Sequence, residues 1–158
     1  MSFTLDKDTD NYITNKSNWE LIKDYIPKDK KIWSPFYCDG IQKEYFKEMG
    51  FDIIHEDEDF FKNNKGDLII DNPPFGKIKD IFKRLKELDK PFILLCPNHT
   101  FQYRFFQRPF KKYLQLIIPD KRTKFTHLTN EKKGGNLPFD CYFFCYKMNL
   151  PKDLIFLD

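Results

Sequence analysis

Apolar positions along the chain fall into two kinds of run, short continuous or alternating stretches and longer stripes at helical spacing. Residues 32–36, 51–55 and 67–70 read as three early strands, and 91–96 as a fourth, apolar enough to be buried on both faces. Residues 114–118 and 141–146 read as late strands, separated by a loop at Gly134-Gly135-Asn136. Between them lie helical segments. Ser17, with Glu20 three residues on, caps a short helix to about Tyr25, and Pro27 closes it. Residues 40–49 carry Ile41, Tyr45, Phe46 and Met49 on one face, with Gly50 as the stop. Residues 78–88 give the clearest stripe, Ile78, Ile81, Phe82, Leu85 and Leu88. Residues 103–113 read as a further helix that contains Pro109. Alternating strands and helices predict an open α/β sheet, mostly parallel. Ligands of such sheets bind beyond the carboxyl ends of the strands, so the residues just after each strand matter most.

Composition sharpens this picture. At 158 residues and 19.2 kDa the chain fits a single domain, residues 1–158, with no separate target-recognition domain. Ala and Val are absent, so Ile, Leu and 18 Phe must build the core. No apolar run reaches the roughly 18 residues of a membrane span. The amino-terminal residues lack a basic start followed by an apolar stretch. These features predict an intracellular protein, cytoplasmic or nuclear, with no membrane partner. Cys38, Cys96, Cys141 and Cys145 form no paired knuckle, so no metal site is expected and the thiols read as small hydrophobes.

The net charge of +3 is unevenly spread. Residues 1–76 carry −6, residues 77–133 carry +10 and residues 134–158 carry −1. A basic middle segment suits a polyanion, while a solvated lysine-rich face would give the same counts. Its candidate phosphate contacts are Lys77 and Lys79, the i, i+4 pair Arg104 and Arg108, and the group Lys121, Arg122 and Lys124, read as part of a late hairpin.

The sharpest chemical signal follows the third strand: Asn72-Pro73-Pro74-Phe75. Two prolines fix two φ angles and remove two N–H donors. Pro73 also pushes Asn72 towards an extended backbone. The loop is therefore stiff and rich in acceptors. The Asn72 side-chain oxygen and a proline carbonyl together suit an –NH2 group, which has two hydrogens to donate.

This tetrapeptide resembles the catalytic motif of the S-adenosylmethionine-dependent amino-methyltransferases, in particular the phage and viral adenine-N6 enzymes. The resemblance implies a Rossmann-like class I methyltransferase fold with helices on both faces of a mostly parallel sheet. It implies that Asn72 and Pro73 hold the target amine, that Pro74 stiffens the loop and that Phe75 stacks on the base. An adenine amine is a poor nucleophile because its lone pair is delocalised; accepting both of its hydrogens directs that pair at the methyl donor. Thr14 resembles the family's upstream contact to the cofactor. Pro35, Phe36, Tyr37, Asp39 and Gly40 resemble its cofactor loop, commonly Pro-Phe then Gly-x-Gly, of which this chain keeps only the second glycine. Glu56, with Asp57 as the neighbouring alternative, would accept the ribose hydroxyls. Asp59 and Phe60 resemble the segment that holds the cofactor's adenine. Phage and viral membership would place the chain inside a host cell.

Expected activity is methyl transfer to the N6 amine of adenine, with DNA favoured as substrate by the resemblance to phage enzymes; the target base must then be flipped out of a duplex or lie unpaired. RNA is the second candidate, and a protein glutamine amide a third. The altered glycine loop keeps open a catalytically inactive binding subunit. So small a chain also leaves room for a protein partner that supplies specificity. His99, just after the 91–96 strand, has two readings, a residue lining the substrate cleft and, the favoured one, a solvent-facing loop residue.

Overall fold

The computed structural model describes residues 12–127 and 139–158. The predicted loop at residues 134–136 lies outside them. Among the described residues nine strands are found: β1 Tyr12–Thr14, β2 Ile32–Trp33, β3 Ile53–Ile54, β4 Leu68–Asp71, β5 Phe92–Pro97, β6 Leu114–Ile118, β7 Phe125–His127, β8 Cys141–Tyr146 and β9 Leu154–Phe156. Four α-helices accompany them: α1 Lys16–Glu20, α2 Ile41–Glu48, α3 Ile78–Leu88 and α4 Arg104–Phe110.

Seven strands form one sheet in the order β3-β2-β4-β5-β8-β6-β9. β2 pairs in parallel with β3 and β4, β4 with β5, and β6 with β9. β8 alone is reversed, antiparallel to both β5 and β6. The chain is thus α/β with a mostly parallel sheet. No described helix is long and apolar enough to cross a membrane.

The period-two direction of strand side chains divides the core. Ile93 and Leu95 of β5, with Leu68 and Ile70 of β4, meet Trp19 of α1 and Phe46 of α2. Phe92, Leu94 and Cys96, with Ile69, meet Ile81, Phe82 and Leu85 of α3 and Phe106 and Phe110 of α4. Helices therefore cover both faces. That is why β4 and β5 read as continuous apolar runs rather than alternating ones. Each large side chain so buried stabilises the fold by about 1.5–3 kcal/mol.

Several boundaries move from their expected places. Ser17 lies inside α1, and the N-cap is Asn15, whose Oδ1 accepts from Thr126 Oγ1 at 2.8 Å instead of capping the helix. Pro109 lies inside α4, which ends one residue later and gives way to a 3-10 turn, Lys111–Tyr113. α3 ends on Asp89 in the left-handed region, φ 50°, its N–H bonded to Leu85 C=O at 2.9 Å.

The segment expected in a late hairpin instead joins a ribbon of its own. β7 pairs antiparallel with β1, Thr14 opposite Phe125. Asn18 reinforces the ribbon, donating Nδ2 to Lys124 C=O at 2.7 Å. Thr14 and Lys124 are thereby neighbours.

Candidate active site

Between β2 and β4 the sheet changes direction of growth. From β2 the chain moves outward to β3, then crosses back to add β4 on the other side. The crevice beyond the carboxyl ends of two such strands is the natural ligand position of an open α/β sheet. Ser34-Pro35-Phe36 leaves β2 there, and Asn72 leaves β4 there.

A buried carboxylate ties the two exits together. Asp71, the last residue of β4, is 2% exposed. Its Oδ2 accepts from Ser34 Oγ at 2.9 Å and from the Phe36 N–H at 2.7 Å. Its Oδ1 accepts from the Asn72 N–H at 2.8 Å and from Gln42 Nε2 at 3.2 Å. Burial pushes the Asp71 carboxyl up to about 6, against the opposing pull of His55 and of these donors. Four donors from three segments make this acid the fixed point of the crevice.

Asn72 is half-buried and donates Nδ2 to Thr14 Oγ1 at 3.0 Å. That bond orients the amide and leaves Oδ1 as its accepting atom. Pro73 is buried and Pro74 half-buried, with Pro74 extended at φ −68° and ψ 140°. Phe75 then begins a 3-10 turn that runs into α3. Its ring lies 6.1 Å from His99 and 6.1 Å from Phe139, centroid to centroid. His99 also stands edge-on to Tyr103 and to Phe139. The sequence pointed to a solvent-facing His99; it is half-buried in an aromatic group beside the Asn72 loop. Its place three residues after a buried strand was the available signal.

The cleft at the switch point is lined by Thr14, Phe36, Tyr37, Asp39 and Asn72 of the predicted set, together with Cys38, Gln42 and Asp71. Pro35 is buried beneath it. Within this loop Cys38 has φ 56° and Gly40 has φ 83°, two left-handed residues separated by one. Cys38 therefore supplies the backbone conformation that a glycine would ordinarily supply. At Gly40 a Cβ would lie 2.5 Å from Tyr37 Oη, so the tyrosine ring occupies the space that glycine leaves. Tyr37 also packs on His55, ring centroids 5.0 Å apart.

The remaining predicted residues follow β3 and do not line the cleft. Glu56 is exposed and pairs with Lys43 at 2.7 Å, which holds its carboxyl below the usual range. Asp57 beside it is exposed. Asp59 is buried and accepts from the Phe61 N–H at 2.9 Å, capping a 3-10 turn. Phe60 is fully buried between Trp33, Phe36 and Phe61, so it offers no ring face to a ligand and supports the loop after β2 from behind.

Among the basic candidates, Lys79, Arg104, Arg108, Lys121, Arg122 and Lys124 are exposed and Lys77 is half-buried. Arg104 Nη1 donates to Gln107 Oε1 at 2.9 Å, and Arg122 pairs with Asp140 at 3.0 Å. Sequence reasoning missed Ser34, Gln42 and the anchoring role of Asp71. An acid ending a fully apolar strand had to find donors, and that was the legible clue. Among the described residues no group of three or more His, Cys, Asp and Glu is arranged to hold a metal ion. Compared with protein-family models and with curated proteins, the chain matches none.

Proposed function

We propose that this chain is an S-adenosylmethionine-dependent methyltransferase of Rossmann-like class I fold, acting on the N6 amine of adenine in nucleic acid, with DNA as the favoured substrate. The observation that carries the reading is the position of Asn72. It stands at the carboxyl end of β4, at the switch point, oriented by Thr14 and followed by two prolines and an aromatic ring.

The residues present fit the cofactor. Asp39 and Asp71 give the cleft the negative character that suits a sulfonium and an amino group. Thr14, Phe36, Tyr37 and Gly40 would border it, whereas Glu56 and Asp59 stand outside the cleft and are given no part in holding it. When bound, S-adenosylmethionine supplies an electrophilic methyl group. The chain's own part is to hold the acceptor. Asn72 Oδ1 and the Pro73 carbonyl take the two amine hydrogens, while the Phe75 ring stacks on the base. Proximity and preorganised acceptors supply most of the rate, and the surplus proton can leave after transfer. The left-handed Cys38 supports an active reading over an inactive subunit, because a left-handed backbone stands at this position without a glycine.

Calorimetry with S-adenosylmethionine, followed by nucleoside mass spectrometry after incubation with DNA and with RNA, tests the proposal. N6-methyladenine in DNA is the expected product. Methylation confined to RNA would reassign the substrate, and no cofactor binding would overturn the reading.

A further inference from the structure

β9 closes one edge of the seven-stranded sheet, beyond β6. The Asp153 C=O accepts from the Leu116 N–H at 2.8 Å, and the Leu157 N–H donates to the Ile118 C=O at 2.9 Å. Backbone groups along a strand alternate in direction, so Ile155 also faces β6. The N–H and C=O groups of Leu154 and Phe156 then point away from the sheet. The side chains of the same two residues are 53% and 69% exposed, while Ile155 between them is buried. An open row of donors and acceptors bordered by exposed Leu and Phe is a template for another strand.

We infer that the added strand is β9 of a second copy, paired antiparallel across a two-fold axis at Ile155, which joins two sheets edge to edge. The register is self-complementary, as an isologous contact requires. Leu154 falls opposite Phe156 of the other copy on one face of the sheet. These are the residues whose backbone groups point outward, so each such pair exchanges both main-chain bonds. One step further out, Lys152 falls opposite Asp158, both exposed and oppositely charged. Centring the axis on Leu154 sets Lys152 against Phe156, and centring it on Phe156 sets Asp158 against Leu154. Among the residues whose backbone groups point outward, only the Ile155 register matches apolar with apolar and charge with opposite charge. This inference is independent of the proposed activity.

Sedimentation equilibrium of the full chain at up to about 0.1 mM, where even a micromolar interface is saturated, reads the association directly. A dimer is expected. Phe156→Pro removes an outward N–H while sparing the bonds to β6 and should give a monomer. Leu154→Lys, at an exposed position, should do the same and serves if the proline variant fails to fold. Lys152→Asp should weaken the dimer about tenfold or more, and adding Asp158→Lys should restore it. A monomer across the whole range, or a dimer indifferent to these substitutions, overturns the inference.

Discussion

Asn72 donates its side-chain amide to the hydroxyl of Thr14 at 3.0 Å, linking positions 58 residues apart. The bond crosses from the small ribbon to the main sheet and decides which way the amide faces. Thr14→Val keeps the shape and removes the acceptor. Turnover should fall by about tenfold, the worth of one such hydrogen bond. Thr14→Ser should retain activity. Asn72→Ala should lower turnover by at least ~100-fold with a nearly unaltered melting profile. Single-turnover kinetics on the three variants separate orientation from binding; equal rates in Asn72→Ala would end the catalytic assignment.

Asp71 predicts a pH dependence with two opposing faces. Its folded value of about 6 lies above the ordinary 3.8, so the folded chain binds the extra proton between these values. Stability from this group is full below pH 3.8 and is lost as pH rises through about 6, on the order of 2–3 kcal/mol. The ionised form, however, is the one that accepts all four donors. Turnover should therefore decline as pH falls below about 6. Urea titrations from pH 4 to pH 7 should show a smaller stability slope in Asp71→Asn than in the parent. An identical slope would remove Asp71 as its source.

Cys38 tests the cofactor loop. A left-handed non-glycine residue costs roughly 1–2 kcal/mol, part of which Gly would return as greater freedom of the unfolded chain. Cys38→Gly should stabilise the fold by about 0.5–1 kcal/mol and leave S-adenosylmethionine binding intact. Cys38→Val, branched at Cβ, should destabilise. Gly40→Ala should be worse for binding, since its Cβ would collide with Tyr37. Urea midpoints and calorimetry check both statements.

Arg104 and Arg108 lie exposed on α4. Replacing both with Gln should weaken nucleic-acid binding and lower the slope of log affinity against log salt by about 1–2. An unchanged slope would remove α4 from the contact surface.

Much of this arrangement was legible before any coordinates. The order of β2 to β6 and β8 with the helices between them, the double-sided burial of β4 and β5, and the exit of Asn72 from β4 follow from apolar periodicity and two prolines, whereas the three-residue strands β1, β7 and β9 are too short to show a period. The failures have local causes. Ser17 satisfied a capping pattern, but Asn15 was claimed by Thr126, a partner 111 residues away that no window contains. Residues 121–127 looked like half of a hairpin because nothing local announces pairing with Tyr12–Thr14. Cys38 looked like a lost glycine because side-chain identity was read where backbone angle mattered. His99 looked like a loop residue because aromatic neighbours from three segments are invisible to spacing.

The β1–β7 ribbon has one more consequence. Deleting Tyr12–Thr14 removes not a single lysine or arginine, yet it takes away the rail on which residues 121–127 are mounted. A truncated chain would lose the placement of residues 125–127, and of Lys124 beside them, through a cut made more than a hundred positions away.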